Sequence, residues 1–424
     1  MLISGKVQSG FEPVHELFRG SLTSGRDRNA QLCVYVGEDC VVDLWATNGE
    51  EAFSPDSLVN VFSSGKSLES ILLAMLADRG LLNFAERVAA YWPEFAGQDG
   101  DKDRLTVSDV MRHEAGLASL NVTLSPEQLS TSGLKQNAVG KVLEQHSLSF
   151  PQASGSPREY HAITRGWIAN EIFRRIEPSG RTMGEFLRAE ISQPLGVDVY
   201  FDLNADQAHS LCRVKARKLG PQLLDSFAPG SQARRIGLTP QELFARGRRI
   251  LPVIRRRQGT RQPLPLSGMQ EEGFGVFDSA EWLQAQTPSA GAKCSARGLA
   301  KLAAVMANGG SALGHQLLTE SGCAALHAEP IERKMTIMDN RFTQAGLALF
   351  DDADGAKGPL EAGMNCGRDG FYGWMGFGGS VFQWHPRKRI GFAYVPTALN
   401  PIDLFNERGK SYQKAVVQCL DTMS

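Results

Sequence analysis

The chain has 424 residues, a formal net charge of −1 and an isoelectric point near 6.7. This near-neutral balance argues against a dedicated nucleic-acid-binding protein and against a polyanionic substrate. A chain of this length can bury a large core and fits one large domain, or two closely joined ones, better than a string of small modules.

No run of residues approaches the apolar length of a membrane-spanning helix, and residues 1–10 lack the features of a secretory signal. The sequence therefore predicts a soluble, cytoplasmic protein; a leader removed before this sequence begins is the alternative. The seven cysteines are scattered and form no Cys-x-x-Cys pair, which predicts free and mostly buried thiols. Only Cys33 and Cys40 flank one turn closely enough to be cross-strand neighbours, and a reducing compartment disfavours a disulfide there.

The first predicted elements are two strands, at 31–36 and 40–46, which a turn joins into a β-hairpin. An extended run at 58–62 then leads into a helix that begins near Ser67 and ends at Gly80, because its apolar residues recur at helical spacing. From there to about residue 308 the pattern predicts helices and loops. The predicted helices are 106–113, 139–145, 164–176, 182–191 and 295–307.

Strands return late in the chain, at 344–350, 379–384 and 389–395, and a last helix is predicted over 406–423. Strands at both ends with helices between them predict an α+β fold, in which both termini build one antiparallel sheet that helices flank. The sheet subdomain would comprise residues 1–85 and 290–424, and residues 86–289 would form a mainly helical subdomain. We expect the catalytic cleft between the two parts.

The most informative motif is Ser63-Ser64-Gly65-Lys66, placed where the extended run gives way to the helix. A serine in the first helical turn and a lysine three positions later share one face, so the hydroxyl and the amine can meet. The positive end of the helix stabilises an oxyanion near Ser63 and lowers the pKa of Lys66, which can then act as a general base. The alternative is an N-cap serine with a surface lysine.

A second copy of the motif, Ser132 to Lys135, shows that the spacing alone is weak evidence. No strand precedes this copy, and we interpret it as an ordinary helix start. The arginine-rich run at 247–261 is interpreted as a solvated loop; the alternative is a rim that guides an anionic substrate or contacts a partner. The segment from about 205 to 285 contains no motif that would indicate the substrate.

Several ordered stretches resemble one known family. They are residues 60–66, 80–82, 91–95, 106–117, 159–167, 288–291 with 300–310, and 373–380. Together they resemble the serine β-lactamase and penicillin-recognising family, most of all its class C-related esterase branch, the family VIII carboxylesterases. The resemblance covers most of residues 25 to 400 and implies the β-lactamase/transpeptidase-like fold with a covalent acyl-enzyme mechanism.

The resemblance also implies roles for residues around the motif. Tyr160 stands in the place of the family's Tyr-x-Asn tyrosine, across the cleft from Ser63 and Lys66, where a phenolate would take a proton from the serine and the phenol would protonate the leaving group. Simple packing is the alternative for this tyrosine. The neighbouring His161 is a substrate-binding candidate and an alternative base, and Ala162 replaces the asparagine that holds a substrate amide.

The third family element is Lys-Thr-Gly on a strand that lines the cleft, and here Trp374-Met375-Gly376 stands in its place. This change removes the cation that receives a carboxylate and offers Trp374 as an apolar wall, or as a cover for the sheet. By resemblance, Trp374 and Gly376 contact substrate, and the backbone amides of Ser63 and Phe377 form the oxyanion hole. Gly65, a departure from the family pattern, would loosen the turn that holds the nucleophile.

The leading hypothesis is a serine hydrolase that acts on small-molecule carboxylic esters through an acyl-enzyme, with acyl transfer to alcohols as a further capability. A β-lactamase or D-amino-acid peptidase, and a catalytically silent scaffold, are the alternatives. No Gly-x-Ser-x-Gly, His-Glu-x-x-His or phosphate-loop motif is present, and the eight histidines show no metal spacing, so no metal or cofactor is expected. No nucleic-acid partner and no transmembrane segment are expected, and a homo-oligomer stays open.

Overall fold

A computed structural model provides the structure of the chain. It describes all residues except 26, 98–99, 149–157, 223–243, 245–246, 249–262, 336–337, 352–357, 402, 404 and 424. Most of the arginine-rich run, residues 249–261, therefore lies outside the described residues. No helix in the described part of the chain is both long enough and apolar enough to cross a membrane.

The fold is built on one antiparallel sheet of nine strands. In chain order the strands are β1 (Leu2–Val7), β2 (Ala30–Val36), β3 (Asp39–Thr47), β4 (Ile331–Met335), β5 (Met338–Phe342), β6 (Ala348–Leu349), β7 (Tyr372–Met375), β8 (Val381–His385) and β9 (Ile390–Pro396). Their order across the sheet is β1-β3-β2-β9-β8-β7-β6-β5-β4. Because β9 pairs with β2, from Ile390 opposite Val36 to Pro396 opposite Ala30, both ends of the chain build one sheet, as predicted.

Helices cover both faces of this sheet, because alternate residues of its strands point to opposite sides. On β2, Leu32 and Val34 belong to one hydrophobic cluster and Cys33 belongs to the other. The helices α1 (Glu12–Thr23) and α5 (Glu407–Met423) cover the first face, and α4 (Ala296–Ala307) packs on β2 and β9 from the second. The α+β class predicted from the sequence is confirmed.

Two long buried helices, α2 (Lys66–Asp78) and α3 (Thr164–Ile176), contact each other, although α2 belongs to the predicted sheet subdomain and α3 to the predicted helical one. The predicted bounds agree with those of α3 and differ from those of α2 by one residue at its start and two at its end. Shorter α-helices span Val88–Tyr91, Val107–Met111, Pro126–Leu129, Thr131–Lys135, Ala138–Gln145, Met183–Leu187, Gln193–Leu195, Ala205–Ala208, Met269–Glu272, Glu320–His327 and Pro359–Asn365. Short 3-10 helices span Phe62–Gly65, Pro93–Ala96, Gly273–Asp278 and Ala280–Trp282, and a π-helical turn spans Arg188–Ser192.

Two predictions about strands were wrong. The predicted strand at 344–350 shrinks to β6, because Gly346 has a φ of 78° and closes a turn in which its N–H donates to Thr343 O at 2.9 Å. Strands also occur inside the mainly helical stretch. The short strand Lys293–Cys294 pairs with both Val59–Asn60 and Val199–Tyr200, which ties the two predicted subdomains together. The remaining short strands are Lys215–Ala216, Ser311–Ala312, His315–Gln316 and Ala398–Leu399.

The predicted hairpin is present, and its two cysteines are free thiols whose sulfurs lie 3.8 Å apart. All seven cysteines are free. The subdomain boundaries near residues 86 and 289 stay a prediction.

Candidate active site

The turn that carries Ser63 has an unusual backbone. It is a 3-10 helix, Phe62–Gly65, that leads directly into α2 at Lys66. Phe62 has a φ of 47°, in the left-handed region that a bulky residue seldom adopts. Its ring packs edge-on against Phe277 and Phe377, with centroids 6.1 and 6.0 Å away. Packing therefore holds the turn that presents Ser63.

Gly65 in this turn is required by close packing. A Cβ at this position would lie 2.6 Å from Pro288 O and 3.0 Å from Ala292 Cβ. Its φ of −58° is ordinary helical backbone, so the glycine provides space and not conformational freedom. The expectation that Gly65 loosens the turn was therefore wrong.

Lys66 is buried at the first position of α2, 2 % exposed, with its amine beside Ser63. Its Nζ donates to Ala162 O at 2.7 Å and to Ser289 O at 3.0 Å, and lies 3.4 Å from Ser63 Oγ. Burial holds the pKa of Lys66 well below its usual value; the Glu69 carboxylate raises that pKa and Arg165 lowers it further. A neutral amine has two N–H groups, which match the two carbonyls, and its lone pair remains available for the hydroxyl proton of Ser63.

Tyr160 completes a group of three side chains. Its hydroxyl accepts a hydrogen bond from Trp374 Nε1 at 3.0 Å, and Tyr160 and Ser63 line the same cavity. The amine of Lys66 lies 4.9 Å from the centre of the tyrosine ring. Burial raises the pKa of Tyr160, while the nearby Ser63 hydroxyl and the hydrogen bond from Trp374 lower it. The protonated phenol is thus the favoured form at neutral pH, and the phenolate expected from the sequence is not.

The segment after β7 passes close to the Ser63 turn. A Cβ on Gly376 would lie 2.2 Å from Val61 O, so only glycine fits this approach. Ser380 Oγ donates to Val61 O at 2.7 Å, and Asn406 Nδ2 donates to Gly376 O at 2.9 Å. These bonds fix the loop that carries Phe377 against the turn that carries the serine.

The backbone amides of Ser63 and Phe377 are free to receive a ligand oxygen. Neither donates its N–H to an acceptor among the residues that the structure describes. Phe377 follows Gly376 directly, at the point where β7 has ended, and Ser63 lies in the first turn of its 3-10 helix. Their role as an oxyanion hole stays a prediction.

His161 is not among the residues that line the cavity beside Ser63. Its ring is fully buried: Nε2 accepts from Leu117 N at 3.1 Å, and Nδ1 donates to Glu159 O at 2.6 Å. Burial, with Arg165 and Lys66 nearby, lowers the pKa of His161 to about 3. Both ring nitrogens are occupied, so its assignment as a substrate-binding residue does not fit. Ala162 is exposed and contributes the carbonyl that holds Lys66.

A cavity of about 260 Å³ opens beside Ser63. Its lining is mainly apolar and rich in methionine, with a few polar groups on its wall. The lining residues are Ser63, Tyr160, Met335, Met338, Asn340, Met364, Trp374, Met375, Gly376, Phe377, Gly378, Pro401, Asp403 and Asn406. The sequence analysis assigned roles to Ser63, Tyr160, Trp374, Gly376 and Phe377 and named Met375 only as part of a motif. It missed the other lining residues, because no local pattern marks residues that meet only in the fold.

The second motif copy has a purely structural setting. Ser130 caps the helix Thr131–Lys135 by accepting from Gly133 N at 3.1 Å, and Lys135 Nζ donates to Glu185 at 2.6 Å on the surface. The interpretation of Ser132 to Lys135 as a helix start is confirmed.

Comparison with known proteins agrees with this architecture. The family model described as Beta-lactamase matches residues 14–416. Esterase/beta-lactamase LipL of Mycobacterium tuberculosis (strain ATCC 25618 / H37Rv) is 28 % identical over 414 residues, which cover 96 % of this chain and 86 % of that protein.

Solved structures extend the likeness to three dimensions. A novel penicillin-binding protein homologue from Caulobacter crescentus superposes with a TM-score of 0.76 at 26 % identity, covering 99 % of this chain and 100 % of that one. A family VIII carboxylesterase superposes with a TM-score of 0.75 at 23 % identity and the same coverage. The fold is therefore the β-lactamase/transpeptidase-like fold, and since the family match spans nearly the whole chain, this protein belongs to the beta-lactamase family.

Proposed function

We propose that this protein is a serine hydrolase that cleaves carboxylic esters through a covalent acyl-enzyme on Ser63. The observation that carries the proposal is the buried amine of Lys66, which burial favours in its neutral form, 3.4 Å from the Ser63 hydroxyl. Membership in the beta-lactamase family and a relative named esterase/beta-lactamase support the serine-hydrolase class.

The first half of the proposed reaction forms the acyl-enzyme. Ser63 Oγ attacks the ester carbonyl carbon, and its proton passes to Lys66 Nζ. The developing oxyanion accepts hydrogen bonds from the amides of Ser63 and Phe377. The Tyr160 phenol gives its proton to the departing alkoxide and regains one from protonated Lys66, so the alcohol leaves neutral.

The second half returns the enzyme to its starting state. Water takes the place of the alcohol, gives its proton through the same groups and attacks the acyl carbon; the carboxylic acid then leaves and Ser63 is reprotonated. An alcohol in place of water would give a new ester, which is acyl transfer. The alcohol and water compete for the same acyl-enzyme, so the ratio of the two products at a given alcohol concentration measures how well the site accepts an alcohol in place of water.

The cavity wall favours esters over amides. Trp374 stands where relatives place a cation for a substrate carboxylate, and Ala162 has no side-chain amide to hold a substrate amide. Trp374 Nε1 is directed to Tyr160 and provides no charge. An alkoxide is a far better leaving group than the anion of an amine, so cleavage of an ester depends less than cleavage of an amide on proton transfer to the leaving atom before the bond breaks.

The test compares the two motif copies. Ser63→Ala should lower kcat for p-nitrophenyl butyrate by at least about 10³-fold, as removal of a serine nucleophile does generally. Ser132→Ala, in the copy that only starts a helix, should keep the parent rate. Equal rates for Ser63→Ala and the parent would refute the proposal.

Two further measurements separate the alternatives. Faster turnover of a chromogenic cephalosporin than of butyrate esters would favour the amide hydrolase that Ala162 and Trp374 argue against. Failure of a fluorophosphonate probe to label Ser63 would favour a silent scaffold. Neither alternative is favoured by a specific contact in the site.

A further inference from the structure

The hairpin of β2 and β3 carries a pair of thiols that the proposed reaction does not use. Cys33 on β2 and Cys40 on β3 lie on the sheet face that α4 covers, and their sulfurs are 3.8 Å apart. Among the residues that the structure describes, no other hydrogen bond joins two cysteine sulfurs. The seven free thiols therefore include one pair in direct contact.

The register of the hairpin explains this contact. Cys40 lies opposite Tyr35 and Cys33 lies opposite Asp43, so the two cysteines are diagonal neighbours on one face of the paired strands. The register shifts between them because β3 has one extra residue, Val41. A disulfide bond of about 2.0 Å requires the two sulfurs to approach by about 1.8 Å, which rotation of two short side chains can supply.

The two thiols differ in their exposure. Cys40 is partly exposed beside the turn of the hairpin, whereas Cys33 is 2 % exposed within the core. The hydrogen bond between them lowers the pKa of Cys40, and the same bond together with burial raises the pKa of Cys33. Cys40 is therefore the thiol that ionises first and meets a solute, and Cys33 keeps its proton behind it.

The other five thiols lack this combination. Burial raises the pKa of four of them, Cys212, Cys294, Cys323 and Cys419. Cys366 is exposed, but no second sulfur lies within hydrogen-bond reach of it among the described residues. A thiol that responds to peroxide reversibly needs both access to solvent and a neighbouring thiol that resolves the sulfenic acid. In this chain the hairpin pair meets both needs.

We propose that Cys33 and Cys40 are a redox modification site, at which hydrogen peroxide converts the two thiols reversibly into a disulfide that links β2 to β3. The two residues are thiols until they meet the oxidant, as the structure has them. The inference does not rest on the proposed function, because neither cysteine lines the cavity beside Ser63.

The reaction proceeds in two steps. The Cys40 thiolate attacks one oxygen of the peroxide and the O–O bond breaks, so that Cys40 becomes a sulfenic acid; the hydroxide that leaves takes up the proton that Cys40 released. Cys33 then attacks the Cys40 sulfur, the S–S bond forms, and the proton of Cys33 goes to the departing hydroxide. One peroxide and two thiols thus give one disulfide and two waters, and a dithiol reverses the change.

The test treats the folded, fully reduced parent with a small excess of hydrogen peroxide and then blocks the remaining thiols with N-ethylmaleimide in urea. Cleavage after Glu38 separates the two cysteines, so a disulfide joins two peptides that are otherwise separate. We expect the joined pair, lighter by two hydrogen atoms than the sum of the free peptides, while the other five thiols carry the maleimide. Dithiothreitol should separate the pair and restore both thiols.

Variants show which thiol plays which part. Cys33→Ala should leave Cys40 as a sulfenic acid that dimedone traps, because no neighbouring thiol resolves it. Cys40→Ala should leave Cys33 as a free thiol, because its sulfur is buried. The control Cys366→Ala removes an exposed thiol outside the hairpin, so the bond between Cys33 and Cys40 should form as it does in the parent.

The inference is overturned if the parent keeps both hairpin thiols at a peroxide dose that oxidises Cys366, or if the joined peptides form only after urea has unfolded the chain. Formation of the joined pair in the folded parent and in Cys366→Ala, with its loss in Cys33→Ala, would support it. Both overturning results come from the parent, so they decide the matter even if substitution of the buried Cys33 unfolds the chain.

Discussion

The buried ion pair beneath Lys66 provides a direct test of how the site is held together. Arg165 is fully buried and donates from Nε to Glu69 Oε2 at 2.8 Å. Its other nitrogens donate to Lys66 O at 2.8 Å, Gly346 O at 3.0 Å and Met111 O at 3.1 Å. One side chain therefore joins α2, α3 and the turn before β6 directly below the reacting groups.

Arg165→Gln removes the cation and leaves Glu69 buried without its charged partner. Loss of one member of a buried pair costs about 3–5 kcal/mol of unfolding free energy. The pKa of Lys66 should rise as well, since Arg165 lowers it and Glu69 raises it. A higher pKa means a smaller neutral fraction at a given pH, so the acid limb of kcat/KM should move to higher pH.

Urea unfolding followed by fluorescence measures the first effect, and kcat/KM for p-nitrophenyl butyrate between about pH 5 and 9 measures the second. The control is Arg87→Gln, which breaks an exposed ion pair in which Arg87 Nη1 lies 3.1 Å from Asp103 Oδ2. Its loss should lower the free energy of unfolding by at most about 1 kcal/mol. The double variant Glu69→Gln/Arg165→Met should recover part of the lost stability. The reasoning is refuted if Arg165→Gln loses no more stability than the control and the acid limb of its kcat/KM profile stays at the same pH as in the parent.

Three further changes probe single contacts. Gly376→Ala places a Cβ 2.2 Å from a backbone oxygen, so it should lower the free energy of unfolding in urea by about 1–3 kcal/mol and should also lower kcat. The control is Gly20→Ala, where a Cβ has nothing within 4 Å and the substitution should be neutral or stabilising. Trp374→Phe removes the N–H that holds the Tyr160 hydroxyl at 3.0 Å and should lower kcat more than it changes KM; an unchanged kcat would show that the bond is dispensable. Burial lowers the pKa of His161 to about 3, against about 6.5 in the unfolded chain. The contribution of the neutral ring to stability is therefore full above about pH 6.5 and is lost as the pH falls from there toward 3. Relative to His161→Gln, the parent should lose about 1.4 kcal/mol per pH unit below about pH 6, and parallel pH curves would contradict this.

The elements that the sequence predicted well carry their pattern locally. The helices α2 and α3 have apolar residues at helical spacing over 13 residues each. The edge strands were missed for a physical reason. β1 and β4 pair on one side only, and their sequences, LISGKV and IERKM, do not alternate apolar and polar residues as a half-buried strand does.

The candidate site divides in the same way. Ser63 and Lys66 follow from spacing within one turn, and Tyr160 from its resemblance to a family motif. The pairing of Arg165 with Glu69 depends on contact between two helices 96 residues apart in sequence. Asp403 and the methionines of the cavity meet only when the sheet closes, so no local signal could identify them. His161 was misplaced because adjacency to Tyr160 does not reveal where a ring points.

The most direct test of the central claim is the mass of the protein during turnover. The enzyme is mixed with excess p-nitrophenyl butyrate, quenched in acid, digested and analysed by mass spectrometry. We expect a butyryl group on the peptide that contains Ser63, and none on that peptide from Ser63→Ala. Continued hydrolysis with no adduct, or with the adduct on another residue, would contradict the account.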